Sequence, residues 1–146
     1  MQKVRNSEYK ARIERYLGRQ NFMKHVGFVL DTIEPGLTEG SLKVLDMHKQ
    51  QKGLIHGGVI ATVADIVAGF AAYTLVPEDC NVVTGELKVS YLRPGICDEI
   101  FAKGWVLKSG AKLNFCEAEV WQICDNEKML IAKVSTTMIT IPPSEG

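Results

Sequence analysis

Residues 53–76 read GLIHGGVIATVADIVAGFAAYTLV, an almost wholly apolar run with one carboxylate, Asp65, near its middle and His56-Gly57-Gly58 near its front. Burying an unpaired carboxylate is costly, so Asp65 either finds a partner or does chemistry. A partner could be local, since a carboxylate at a helix surface can accept from a neighbouring backbone group or from a hydroxyl such as Thr62. The chemical reading starts from the two glycines. They stand where a helix should begin, where the first backbone N–H groups have no intrahelical acceptor and the dipole is positive. Glycine leaves those amides open to close approach, so Gly57 and Gly58 suit an anion, or a carbonyl oxygen becoming one.

Spacing constrains that chemistry. From Gly57 to Asp65 is about 12 Å of helix axis, whereas groups that attack and polarise one carbonyl lie within about 3–3.5 Å of the reacting atoms. One helix cannot supply both. If the Gly57 amide and the Asp65 carboxylate serve the same carbonyl, they come from two different chains.

The elements that must hold these groups follow from periodicity. With 146 residues and no internal repeat, residues 1–146 read as a single domain large enough for a sizeable core. Residues 1–24 form an N-terminal helical segment, with Ser7 as N-cap and Tyr9, Ile13 and Leu17 at helical spacing. NFMKHVGF reads as a short turn of helix leading into the first strand. Strand patterns run from Val29 to Ile33 and from Ser41 to Met47, with Pro35-Gly36 and Glu39-Gly40 marking the hairpin between them. The long apolar run is rich in Ala and Gly and suits a helix that other backbone approaches closely. Apolar on every side, it must be surrounded by protein.

Four strand-like runs follow: VVTGELKVSYL, EIFAKGWVLK, AKLNFCEAEVWQIC and KMLIAKVSTTMITI. Turn signals stand at Arg93-Pro94-Gly95, Ser109-Gly110 and Asp125-Asn126, and short loops predict antiparallel neighbours. Residues 142–146 read as a frayed tail. The layout is α+β, an antiparallel sheet curled around the buried helix. One sheet cannot cover a helix on all sides, so a second copy should close the remaining edges and apolar surface.

Composition excludes other classes. Seventeen basic and seventeen acidic residues cancel, leaving no charge to attract nucleic acid or an anionic membrane surface. The run at 53–76 is long enough to span a bilayer, but Gly57, Gly58, the central Asp65 and the scarcity of Leu oppose it. Cys80, Cys97, Cys116 and Cys124 form no CxxC pair, and no histidine stands at zinc-ligand spacing from them. They read as small strand hydrophobes and not as a metal site. The charged N-terminus lacks an apolar signal region, which points to a reducing cytoplasm.

HGG followed by six residues and Asp, with VTGELKVSYLRPG downstream, resembles the hotdog-fold acyl-CoA thioesterases of the phenylacetate-degradation type, within the hydroxybenzoyl-CoA thioesterase superfamily. The resemblance spans about residues 25–141. It implies a hotdog fold: a six-stranded antiparallel sheet wrapped around one long helix, assembled as homodimers and usually homotetramers with active sites at the dimer interface. It also implies an acyl-CoA substrate and roles for individual residues. Asp65 would be nucleophile or general base, and Gly57 of the partner subunit would polarise the thioester carbonyl beside Gly58. Thr84 would hold the attacking water or the carboxylate, and His56 would organise the helix start. Arg93, Lys108 and Lys112 would meet the coenzyme phosphates. Relatives carry Asn six residues before this histidine, where this chain has Gln50, with Gln51 as a possible substitute. Tyr73, Trp105 and Trp121 would be core or acyl-pocket lining.

Thioester hydrolysis needs neither metal nor cofactor, since the thiolate leaves readily and one base or nucleophile plus an oxyanion donor suffices. Two alternatives stay open. One is a hotdog dehydratase or hydratase, which would pair a catalytic His56 with an acidic residue, although the chain lacks the H-F-P type loop of the dehydratases. The other is a non-catalytic acyl-CoA-binding module.

Overall fold

The apolar run folds as one continuous helix. In the computed structural model, which describes residues 2–144, it forms α3 (Gly57–Tyr73), preceded by α1 (Tyr9–Leu17), α2 (Asn21–Val26), β1 (Phe28–Glu34) and β2 (Leu37–Lys43). After it come β3 (Asn81–Tyr91), β4 (Glu99–Ser109), β5 (Leu113–Cys124) and β6 (Glu127–Ile141). The six strands make one antiparallel sheet in the order β1-β2-β4-β5-β6-β3, with α3 packed across its concave face. This is the α+β hotdog arrangement expected.

Alternation along the strands seats the helix. Ala102, Val106, Ala118, Val120, Ala132 and Val134 are buried, each separated from the next inward residue on its strand by one that faces out. Gly104 stands at the closest approach: a Cβ there would lie 2.5 Å from the backbone of Val67 and Ala68. The Thr38 hydroxyl on β2 donates to the Val67 carbonyl at 2.6 Å. Small residues on α3, among them Ala64, Ala68, Ala71 and Ala72, are fully buried and let the sheet close around it.

As expected of one sheet, the helix is left open along a stripe, where Thr62, Asp65, Ile66, Gly69 and Tyr73 are partly exposed. Several other sequence expectations need correction. The β1–β2 hairpin turns at residues 35–36 alone, while Glu39 and Gly40 lie inside β2. Gly40 is glycine because the Phe28 ring and the Val29 carbonyl occupy the space of a side chain. Met47 belongs to a single 3₁₀ turn, Asp46–His48, and not to β2. Ser7 does not cap α1; the Asn6 side chain accepts from the Glu8 N–H. The N-terminal helical segment extends to Val26.

Sequential neighbours pair at β4–β5 and β5–β6, but β3 pairs with β6 instead of β4. Residues 92–98 carry the chain across to the far side of the sheet and leave β3 as an edge. The cysteine reading is corrected at one pair: Cys97 and Cys124 are joined as a disulfide, with Cα atoms 5.9 Å apart. Cys116 is a buried strand hydrophobe as expected, and Cys80 is free. Trp105 and Trp121 are outside the core, and the cavity they line is not the one that holds Asp65. They lie on the outer face of the sheet, under Lys133 at 4.4 Å and Lys128 at 4.2 Å from the ring centroids. Residues 142–144 of the tail carry no regular structure, and 145–146 lie outside the described residues.

The start of β3 is held from behind. Arg12 on α1 is buried and has no carboxylate partner among the described residues. Its guanidinium donates to the carbonyls of Pro77, at 2.8 Å, and Cys80, and lies 5.3 and 5.0 Å from the Tyr16 and Tyr73 ring centroids. This clamp ties the end of α3 and the turn after it to the N-terminal helix.

Candidate active site

Asp65 projects from the exposed stripe of α3 toward β3. The Thr84 hydroxyl donates to its Oδ1 at 2.6 Å, and the Met138 sulfur lies 3.5 Å from the same hydroxyl. Thr62, the local alternative, is occupied elsewhere, donating to the Gly58 carbonyl at 2.8 Å. Thr84 reaches Asp65 because β3 is bulged. The pairing passes from Thr84↔Met138 to Glu86↔Thr137, leaving Gly85 unmatched. Val82 packs on the core before the bulge, and Leu87 and Val89 do so after it, so the inward face changes phase at Gly85. Bulges of this kind re-aim a side chain, and here the side chain is Thr84.

The other half of the site is the start of α3. His56 is its N-cap, with Nδ1 accepting from the Gly58 N–H at 2.8 Å. The Gly57 N–H finds no acceptor among the described residues. Tyr91, at the end of β3, donates its hydroxyl to the Gly57 carbonyl at 2.7 Å and so holds that peptide in place.

The loop before α3 is braced by His48, which is buried. Its ring accepts from the Leu45 N–H at 2.9 Å and lies 2.6 Å from the Val26 carbonyl, and its own carbonyl accepts from the His56 N–H. On the other side the Gln122 side chain holds residues 94–97, accepting from the Ile96 and Cys97 amides and donating to the Pro94 carbonyl. Tyr91, His48 and Gln122 were not singled out from the sequence. Tyr91 does stand in the quoted VSYLRPG motif; the other two leave no local signal.

The two halves open into separate cavities. A cavity of about 340 Å³ at the helix start is lined by Gln50, Gly57, Tyr91 and Arg93 among others. A second, of about 140 Å³, is lined by Asp65, Thr84 and Gln20 together with Phe70, Tyr73, Val82 and Met138. Gln50 is thus beside Gly57, whereas Gln51 is exposed. Burial raises the Tyr73 hydroxyl above its ordinary range. Arg93 donates to the Leu130 carbonyl at 2.9 Å near Gly57. Lys108 and Lys112 stand at the β4–β5 turn, toward the Asp65 end of the sheet. Within one chain the predicted site residues therefore divide: Gln50, His56, Gly57, Gly58 and Arg93 on one side, Asp65 and Thr84 with Lys108 and Lys112 toward the other.

Among the described residues no His, Cys, Asp and Glu cluster could hold a metal ion, and no helix is long and apolar enough to cross a membrane. What the two halves offer is a carboxylate oriented by a hydroxyl, and an uncommitted helix-start amide.

Comparison with known proteins converges on one family. Residues 52–127 match the Thioesterase superfamily. A protein of Halobacterium salinarum named as an esterase is 30% identical over 75% of this chain and 76% of its own length. A 1,4-dihydroxy-2-naphthoyl-CoA thioesterase of Arabidopsis thaliana is 29% identical over 82% of this chain and 76% of its own. Among solved structures, a thioesterase family protein of Silicibacter pomeroyi superposes with a TM-score of 0.89 at 30% identity, over 92% of this chain and 98% of that one.

Proposed function

From a chain that belongs to the thioesterase superfamily, we propose an acyl-CoA thioesterase whose active sites are each completed by a second copy of the chain. The observation that carries the reading is the separation of the two halves: Asp65 with Thr84 in one cavity, the uncommitted Gly57 amide in another. Neither half suffices alone, and about 12 Å of α3 lies between them.

Edge strand β3 supplies the means of bringing them together. It is hydrogen-bonded on one side only, and an edge of eleven residues invites pairing with another chain. In an antiparallel two-fold pairing of β3 with its own copy, the start of one strand lies beside the end of the other. Thr84 and Asp65 are near the start; Tyr91, which holds Gly57, is the end. Such a homodimer sets the acid of each protomer against Gly57 of the partner subunit. The superfamily's further pairing into a homotetramer would use the outer sheet face, where Trp105 and Trp121 lie.

The chemistry follows from these positions. The thioester carbonyl oxygen accepts from the Gly57 N–H, where the helix dipole is positive. Asp65 either attacks the carbonyl carbon with its own oxygen, forming a mixed anhydride that water then hydrolyses to free acid and carboxylate, or takes a proton from a water that Thr84 helps to hold, so that the water oxygen attacks. The tetrahedral oxyanion is stabilised at the helix start, and collapse expels the coenzyme A thiolate, which then takes up a proton. Gln50 flanks Gly57 and would orient the thioester. Gly58 completes the helix start, and Arg93, Lys108 and Lys112 would meet the phosphates. His56 is engaged as the helix cap through Nδ1, which argues against the proton-transfer role a dehydratase would require of it.

Thiol release from a panel of acyl-CoA substrates tests the reading. The wild type should release coenzyme A, and Asp65→Asn should lose about a hundredfold or more of that rate with the fold retained. Unchanged hydrolysis in Asp65→Asn would remove the assignment.

A further inference from the structure

Edge strand β3 reaches α3 through two hydroxyl groups. Near its start Thr84 donates to Asp65 at 2.6 Å, and at its end Tyr91 donates to the Gly57 carbonyl at 2.7 Å. A helical carbonyl is paired in any case with the N–H four residues on. The Tyr91 hydroxyl is therefore an additional bond, brought to the helix start from another element.

The helix start has need of it. Glycine at the first two positions leaves the backbone there freer than any other residue would, and helix ends fray. Of the first four N–H groups, Gly58 donates to His56 Nδ1 at 2.8 Å, and Val59 and Ile60 donate to the His56 carbonyl at 3.0 and 3.3 Å. The Gly57 N–H is left without an acceptor among the described residues, and its aim depends on the torsions at Gly57 itself. The peptide joining Gly57 to Gly58 is held at both ends, by the Tyr91 hydroxyl on its carbonyl and by His56 Nδ1 on its N–H. A neutral His56 so engaged carries its proton on Nε2. The phenol also stands where a side chain would be, since a Cβ at Gly57 would meet Tyr91 Cζ and Oη at 3.3 Å. Tyr91 is itself anchored on β6, paired with Ala132 and followed by Leu92, whose N–H donates to the Ile131 carbonyl at 2.9 Å.

We propose that Tyr91 is a positioning residue for the reaction: by fixing the Gly57–Gly58 peptide it keeps the Gly57 N–H aimed at the thioester oxygen and His56 locked as the helix cap. The inference rests on the thioesterase reading, which makes Gly57 the oxyanion donor. One strand then aligns both reacting halves, the acid through Thr84 and the amide through Tyr91.

Tyr91→Phe removes the hydroxyl and keeps the ring. Steady-state thiol release should show kcat lowered about 2–10-fold, the worth of one neutral hydrogen bond. KM should not change, because the amide is stronger bound to the oxyanion than to the ground-state carbonyl. Added to Gly57→Pro, the substitution should cost nothing more, since no amide is left to aim. Added to Thr84→Val its effect should multiply, since that hydroxyl serves the other half. A kcat equal to that of the wild type overturns the proposal. So does a raised KM with kcat unchanged, the mark of direct substrate contact, or a loss that multiplies with Gly57→Pro as it does with Thr84→Val.

A signal that needs no turnover separates this proposal from the hydrolase reading. With glycine alone labelled with ¹⁵N, the Gly57 and Gly58 amide resonances should move in Tyr91→Phe while that of Gly104, on β4, stays. If they move and the wild type releases no coenzyme A from any acyl-CoA, the hold on the helix start stands and the hydrolase reading falls. If both proteins hydrolyse acyl-CoA at the same rate, the positioning role falls alone. Unmoved resonances overturn the proposal whatever the rates.

Discussion

Thr84 donates to Asp65 at 2.6 Å across a gap of nineteen residues, from an edge strand to the open face of the central helix. The contact depends on Gly85. Strict alternation along β3 that placed Leu87 and Val89 on the core would turn Thr84 away from the helix, and the bulge between Thr84 and Glu86 restores it to the inner face. The carboxylate is thereby held in one orientation with its second oxygen left available.

If that hydroxyl orients the acid, Thr84→Val removes a hydrogen bond to a charged group, worth about 1.5–3 kcal/mol. The expected result is a fall in kcat of roughly 10–100-fold, with Thr84→Ser restoring most of it. Steady-state thiol release decides, and equal activity in Thr84→Val and wild type would deny the hydroxyl any role.

Gly57→Pro deletes the helix-start amide while sparing the helix. Proline is favoured at the first helical position, and His56, at φ −61° and ψ 134°, already has the extended backbone that precedes a proline. Tyr91 would have to yield a few tenths of an ångström, since a Cβ at Gly57 meets its ring at 3.3 Å. Activity should fall about 10²–10³-fold.

Mixed dimers test whether two chains share each site. Co-expression of Gly57→Pro with Asp65→Asn produces, in every mixed dimer, one doubly defective site and one intact site. A statistical mixture should recover about a quarter of wild-type activity. Recovery no greater than the sum of the two separate variants would mean that each site lies within a single chain.

Gly104→Ala should destabilise the fold directly. Its Cβ would press on the backbone of α3 at 2.5 Å, and neither strand nor helix can yield cheaply. Overpacking of this kind costs about 1–3 kcal/mol, readable as a lower urea midpoint. An unchanged midpoint would mean that β4 does not seat the helix as described.

Cys116 gives an alkaline signature. Burial pushes its thiol up to about 12 from an ordinary value of 9.0. Between those values the unfolded chain has released a proton that the folded chain keeps, so stability present below about pH 9 is lost as pH rises toward about 12, at up to about 1.4 kcal/mol per pH unit. Chemical denaturation at intervals above pH 9 should show that decline, and Cys116→Ala should flatten it. Native Cys116 should likewise resist alkylation at pH 8 and react on unfolding, because the thiolate is the reactive form.

The local chemistry of the chain already contained much of this. Gly57-Gly58 before an apolar run marked a helix start, the Ala-rich stretch marked a close-packed helix, and four strand-like runs with their turns marked the sheet, because capping, propensity and alternation act over a few neighbouring residues. Even the proposal that two chains share each site followed from the rise of one helix between Gly57 and Asp65. The pairing of β3 with β6 was not visible, nor was the meeting of Cys97 with Cys124, nor Arg12 reaching the carbonyls of Pro77 and Cys80. Those contacts join segments far apart in the chain, and no local preference records them. Asp65 shows the division most plainly. Its position on the helix was legible, but its partner was not, since Thr62 lay nearby and Thr84 came within reach only once a bulged edge strand had been laid beside α3. The helix period decided which residues could share a face; the closing of the sheet around that helix decided which of them would meet.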